Sequence, residues 1–291
     1  MNCRQGRPNL WRHGGLLGLA GLVLAGCANA ALTPPAASDT EEAFFATSPA
    51  NIASLTDVVV RNPNDPQAFN IRGAVFGQAG RYAEALADFN KAIGLDPNYA
   101  QAYANRGLVY RQTNKLDRAL ADYNKAVAID AGYASAYLGR GQVQRQKGQV
   151  VPALQDFNKA IALRPDTAQA YYNRGLLYQG QRQHPFAIDD FTTALGLSPQ
   201  QPELLTARGL SYLAVNDLKS AAADLDEAVL LDQQSLHGWM SRALAYERLG
   251  DRNKAAGSYA HAMKLRPDYG PASDGFSRVG GKTGTAYKTF D

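Results

Sequence analysis

The chain has 291 residues, 45% of them hydrophobic, enough for one elongated domain or two compact ones. Its formal net charge of +4 is concentrated at the start: residues 1–26 hold Arg4, Arg7 and Arg12 and no acid, and without them 27 basic residues face 26 acidic ones. A near-neutral body has no electrostatic reason to favour nucleic acid, so that class of partner is set aside.

Residues 1–26 read as an export signal. Three arginines precede the apolar stretch LLGLAGLVLAG (16–26), which has signal-peptide length and is too short for an ordinary spanning helix. It ends in Leu24-Ala25-Gly26-Cys27, which resembles the bacterial lipobox, and that resemblance implies that Cys27 becomes the lipidated first residue of the mature chain. The alternative is a simple secretory signal cleaved near residues 28–30. By resemblance to Gram-negative lipoproteins, Ala28 lacks the aspartate of inner-membrane retention, which favours the outer membrane. Cys3, the other cysteine, leaves with the signal, so the mature chain has no internal disulfide. Residues 27–40 are small, Pro-containing and nearly uncharged, the composition of a flexible tether.

Residues 41–65 come next, as a degenerate leading unit whose Leu55, Val58 and Pro63 keep the phase of the units after it. From residue 66 the chain repeats itself every 34 residues. Gly73, Gly107, Gly141, Gly175 and Gly209 share one column with Ala243; Ala85, Ala119, Ala153, Ala187, Ala221 and Ala255 share another; Phe89, Tyr123, Phe157, Phe191, Leu225 and Tyr259 a third. Within a unit the apolar residues fall at helical spacing in two stripes. Between the stripes stand Gly80, Asn114, Gly148, Asn216 and Gly250, which tolerate the left-handed conformation that ends a helix; the fourth unit has Arg182 instead. These columns resemble the tetratricopeptide repeat in six gap-free copies: 66–99, 100–133, 134–167, 168–201, 202–235 and 236–269. The resemblance implies an all-α fold, a right-handed α-solenoid of helix-turn-helix units, each burying its apolar face against its neighbours. Residues 270–291 supply a capping helix, with Phe276 turned inward, and an irregular glycine-rich end.

No residue cluster points to catalysis, a cofactor or a metal. Residues 280–284 (GGKTG) lack the upstream glycine and the strand of a phosphate loop, and the Lys282-Thr283-Gly284 triplet has no Ser-x-x-Lys partner. His184, His237 and His261 fall in different units, offer no ligand pair and read as ordinary surface residues.

In the resembled family the first helices line a concave face, where differences between units carry specificity. Here the corresponding partner-binding candidates are Leu138, Tyr172, Gln142, Arg111, Gln112, Arg145, Gln146 and Gln179. Asn105 and Asn173 occupy a column whose asparagines, in some family members, grip a peptide backbone; Gly139, Ala207 and Ser241 interrupt it. The carboxylate clamp of chaperone-binding relatives is missing, because Ala104, Leu138 and Gln142 stand where it wants lysines and asparagines. The apolar residues are expected to anchor a protein or peptide, and Arg111 and Arg145 to attract an acidic group. The competing reading leaves them as solvated helix surface.

One further column sets this chain apart. Arg72, Arg106, Arg140, Arg174, Arg208 and Arg242 recur where leucine is usual, and Asp88, Asp122, Asp156, Asp190 and Asp224 recur on the second helices, with Ser258 in the last unit. Each aspartate lies 16 residues after one arginine and 18 before the next, which predicts a ladder of structural Arg–Asp pairs. Pairing between neighbouring units is the favoured arrangement, and pairing within a unit gives the same number of pairs. The chain therefore reads as a non-enzymatic, lipid-anchored scaffold facing the periplasm, with no small-molecule substrate. The alternative is a periplasmic chaperone or targeting factor, pilotin-like, for secreted or outer-membrane clients.

Overall fold

The computed structural model describes residues 47–287. The expected signal segment, Cys27, the tether to residue 40, residues 41–46 of the leading unit and residues 288–291 lie outside them. Among the described residues every regular element is helical. A lone helix α1 (Pro49–Arg61) is followed by six antiparallel pairs: α2 (Pro66–Gln78) with α3 (Tyr82–Leu95), α4 (Ala100–Gln112) with α5 (Leu116–Ile129), α6 (Ala134–Gln146) with α7 (Val150–Leu163), α8 (Ala168–Gly180) with α9 (His184–Leu197), α10 (Pro202–Ala214) with α11 (Leu218–Leu231), and α12 (Leu236–Leu249) with α13 (Arg252–Leu265). The short α14 (Gly270–Arg278) closes the series.

The same local chemistry starts and stops each pair. First helices end in a bond spanning six residues, from the Arg81 N–H to the Phe76 carbonyl (2.8 Å) and likewise Lys115 to Tyr110 and Gln149 to Gln144, which satisfies carbonyls that the helix leaves open. The residue before each closing donor has a positive φ: Gly80 at 73°, Asn114 at 55°, Gly148 at 71°, Asn216 at 64° and Gly250 at 84°. Arg182 takes the same conformation at 59°, so the turn geometry overrides the residue's own preference. Three of the six second helices end at an aspartate whose side chain accepts an N–H two residues on: Asp96 from Asn98 (2.9 Å), Asp130 from Gly132 (2.8 Å) and Asp232 from Gln234 (2.9 Å).

Packing explains the columns. Ala85, Ala119, Ala153, Ala187, Ala221 and Ala255 are wholly buried, which brings the two helices of a unit close together. The large residue one turn further along the second helix fills the space left by a glycine on the first. A Cβ on Gly141 would lie 2.7 Å from the Phe157 ring, and one on Gly175 2.7 Å from Phe191. Each second helix also packs on the first helix of the next unit, and adjacent first helices touch one another, so the first helices share one face of the solenoid. At the start of the stack the expectation for Val58 is corrected. Val58 is 41% exposed, and Val59 is the residue of α1 that is buried. At the far end α14 buries Ala272 and Phe276 and turns Pro271, Asp274 and Ser277 outward; the Tyr287 ring meets Phe276 edge-on at 5.7 Å.

Candidate functional site

The arginine column is built into the stack. In the first five units Nε and Nη2 of the arginine donate to both carboxylate oxygens of the aspartate 16 residues later, within the same unit, at 2.6–2.8 Å. The pairs are Arg72–Asp88, Arg106–Asp122, Arg140–Asp156, Arg174–Asp190 and Arg208–Asp224. The favoured pairing between neighbours is thus overturned. The two helices of one unit pack side by side at this level, so the planar guanidinium meets its own unit's carboxylate in the bidentate geometry.

The neighbouring unit is still engaged, through a different atom. Nη1 donates backwards to the residue 16 positions earlier: Arg106 to Asn90 (2.6 Å), Arg140 to Asn124 (3.0 Å), Arg174 to Asn158 (2.7 Å) and Arg208 to Thr192 (3.1 Å). In the sixth unit the carboxylate changes sides. Ser258 accepts from Arg242 within the unit (2.6 Å), and Asp226 of the preceding unit accepts its Nε (2.6 Å). Aromatic rings three residues before and four after several arginines hold the guanidinium as well, such as Tyr103 and Tyr110 at 5.5 and 6.0 Å from that of Arg106. The aspartate bonds are the leading reason that these guanidiniums hold their protons more tightly than usual. The backward acceptors and the rings went unread in the sequence, although Asn90, Asn124 and Asn158 recur at the same 34-residue step.

With that column accounted for, the candidate residues on the first-helix face separate into two groups. Asn105 and Asn173 are drawn inward, which corrects their reading as backbone grips. The Asn105 amide donates to Asn70 (3.0 Å), while Asn173, only 2% exposed, donates to the Gln169 carbonyl of its own helix (2.7 Å). Gln179 bridges to the next unit, donating to the Ala207 carbonyl and to Ser211. Leu138 packs partly buried against Phe157 and Leu177. Still available are Gln112 and Gln146, both exposed, half-buried Gln142, and two arginines.

Those two arginines are unusual. Arg111 and Arg145 stand at equivalent places on α4 and α6, and in both the Nε is buried without a hydrogen-bond partner. Neither belongs to an ion pair among the described residues. Beside Arg145, on the next first helix, is half-buried Tyr172. Its ring lies 6.0 Å from that of Phe191, and it forms a wall shared by two open clefts of about 280 Å³ each. One cleft is lined by Gln169, Ser198, Gln201 and Leu204, the other by Leu176, Leu210, Thr206, Asp232 and His237, and Glu203 borders both. Burial raises the pKa of the Tyr172 phenol; the Arg145 cation opposes that shift and the Glu203 carboxylate adds to it, so the hydroxyl lies between opposite charges. Glu203, Asp232 and His237 were absent from the sequence-based candidates, because the first turn of α10 and the loop before α12 were not read as part of this face.

Elsewhere the histidines are less uniform than expected. His237 is exposed, but His261 is half-buried with its ring stacked 4.0 Å from that of Trp239, and burial lowers its pKa. Residues 281–287 are irregular, and the Lys282 N–H donates to the Tyr287 hydroxyl (2.7 Å).

Comparison with known proteins agrees with this architecture. A family model described as TPR repeat matches residues 73–113, 107–148 and 141–181, and two described as Tetratricopeptide repeat match 168–201 and 206–269. Among solved structures, the Cut9–Hcn1 hetero-tetramer of the APC/C is similar with a TM-score of 0.70 and 19% identity over 82% of this chain; the match spans 47% of that protein. The pilF protein of Pseudomonas aeruginosa aligns with a TM-score of 0.67 and 20% identity, covering 73% of this chain and 97% of its own. YrrB, described as a TPR protein with an unusual peptide-binding site, aligns with a TM-score of 0.56 and 25% identity, covering 64% of this chain and 96% of its own. No curated protein sequence matches the chain.

Proposed function

Because the chain belongs to the tetratricopeptide repeat family, whose members are in general non-enzymatic scaffolds that bind proteins or peptides, we propose that it is a lipid-anchored adaptor of the bacterial envelope which holds a partner protein on its first-helix face. The observation that carries the reading is the contrast between the two arginine sets. Six arginines are consumed by the scaffold, whereas Arg111 and Arg145 keep buried Nε atoms without partners. Neither guanidinium is neutralised by an ion pair among the described residues, and a bound carboxylate would supply the missing counter-charge. The two clefts that share Tyr172, about 280 Å³ each and open to solvent, can take side chains of a polypeptide.

The anchor rests on the sequence Leu24-Ala25-Gly26-Cys27 after an apolar stretch. Several acyl chains, at about 0.8 kcal/mol per buried methylene, hold a protein stably on a membrane. Two measurements test the proposal. Metabolic labelling with a palmitate analogue should mark the wild type and not Cys27→Ser; equal labelling removes the anchor. Proximity labelling in the native envelope should recover partners that Tyr172→Ala combined with Arg145→Glu loses; unchanged recovery removes the face. Suppression of aggregation of a denatured client, with no folded partner recovered, would instead identify a chaperone.

A further inference from the structure

We infer that the occupant of this face is an extended peptide segment of fixed charge order, with an acidic group seated at Arg145 and Arg111 and a basic side chain seated in the cleft between Glu203 and Asp232. The inference rests on the protein-binding reading and adds the chemistry of the partner.

Three observations carry it. First, Tyr172 is acted on by charges of opposite sign from the preceding and the following first helix, the Arg145 cation and the Glu203 carboxylate. Arg111 and Arg145 lie on α4 and α6; Glu203 lies on α10 and Asp232 just before α12. The Glu203 carboxylate forms no ion pair or hydrogen bond among the described residues, and the Asp232 carboxylate accepts only the Gln234 N–H (2.9 Å). Second, apolar surface connects the two ends. Leu176 and Leu210 line the cleft floor, each half-buried, and Tyr172 stands between Arg145 and Glu203 as the wall common to both clefts. Third, the charges have a local use that does not exhaust them. Arg111 and Arg145 lie in last turns and Glu203 in a first turn, each where the helix dipole favours its sign. That accounts for their placement but leaves the two buried Nε donors without acceptors.

The spacing comes from the helices. Arg145 and Glu203 are carried by first helices with α8 between them. Neighbouring helix axes lie about 8–10 Å apart, the last turn of α6 and the first turn of α10 are offset by about 15 Å along the helices, and an extended strand rises about 3.3 Å per residue, so the acid and the base are separated by about six to eight residues. An apolar residue between them rests on Leu176 and Leu210. A partner with the order reversed sets like charges against each other at both ends, which makes the face selective as well as adhesive.

The test uses the full chain purified in detergent and a displayed library of random dodecapeptides. Selected peptides should carry Asp or Glu and Lys or Arg six to eight positions apart, in one order, around an apolar residue. For the best peptide, fluorescence anisotropy should show about tenfold weaker binding when its acid becomes Gln or its base becomes Gln, the size of one charge-assisted contact. The first loss should vanish on Arg145→Gln and the second on Glu203→Gln. Losses that persist unchanged on those variants overturn the charge assignment while leaving the protein-binding reading intact. A library that yields no peptide above bare support overturns the inference as well, and proximity labelling in the native envelope then decides the wider reading separately.

Discussion

The ring and hydroxyl of Tyr123, on α5, occupy the place where a side chain at residue 139, on the next first helix, would begin: a Cβ on Gly139 would lie 2.3 Å from the ring Cζ and 2.6 Å from the phenolic oxygen. Tyr259 crowds Gly275 in the same manner at the end of the stack. In the four remaining units the second helix carries Phe89, Phe157, Phe191 or Leu225, and the residue 16 positions on is Asn105, Asn173, Ala207 or Ser241. Tyrosine and glycine therefore travel together across the unit boundary, and the asparagine column is interrupted at Gly139 for a steric reason. Gly139→Asn should cost about 1–3 kcal/mol by overpacking, and much less in a Tyr123→Phe background. Urea denaturation of the four proteins in that cycle measures the coupling, and simple additivity would refute the link.

The bidentate Arg140–Asp156 pair, with 19% and 6% of the side chains exposed, leads to an ordering of mutant stabilities. Asp156→Ala strands a largely buried guanidinium, at a cost of about 3–5 kcal/mol. Asn124→Ala removes a single exposed bond at 3.0 Å from the same group, which water can replace, at about 0.5–1.5 kcal/mol. In the sixth unit the order should reverse, since the carboxylate there belongs to the preceding unit: Asp226→Ala should lower the melting temperature more than Ser258→Ala. Thermal melts by circular dichroism decide both comparisons. Equal effects in each would mean that the bonds between units and within them are interchangeable.

The helix pairs and the core columns were legible in the sequence because each depends on a residue type repeated at a fixed step, such as Ala119 or Phe157. The partner of Arg140 was not, because separations of 16 and 18 residues suit either direction and only the packing of α6 on α7 selects Asp156. Asn173 was misread for a related reason. Its place on the first helix was correct, but whether a polar side chain faces a ligand or its own backbone depends on depth, which the 34-residue period does not encode. Glu203 escaped notice because it occurs once in its column, and Asp232 because it shares a column with the turn aspartates Asp96 and Asp130. A repeat reveals its shared scaffold readily and hides the positions where one unit acts alone.

Arg182 tests how much a single turn residue contributes. It is exposed, has φ of 59°, and stands where other units have glycine or asparagine. A side chain in the left-handed region costs about 1–2 kcal/mol relative to the right-handed one, and glycine avoids most of that. Arg182→Gly should therefore stabilise the protein by about 1 kcal/mol. Gly148→Arg, at φ of 71° with open space around its Cβ position, should destabilise it by a similar amount through the backbone alone. Melting temperatures moving in opposite directions support this reading, and a loss of stability in Arg182→Gly contradicts it.

The buried phenols set the alkaline limit of the fold. Burial pushes Tyr123 up to about 12, and burial together with the bond from its hydroxyl to Glu247 does the same for Tyr259. An unfolded tyrosine ionises near ~10. Between those values the native state keeps two protons that the unfolded state has lost, so stability falls as pH rises through that interval. The contribution is complete below about pH 10 and gone above about pH 12. Tyr123→Phe should flatten the decline by one proton's slope while leaving Gly139 room for its neighbour. Tyr259→Phe should act less simply, because it also frees Glu247, whose carboxylate accepts from Arg278 at 2.5 Å and is held below its ordinary value mainly by that bond. Urea midpoints measured from pH 9 to 12 read the slopes, and a Tyr123→Phe curve parallel to the wild type would show that this phenol is not what limits the fold.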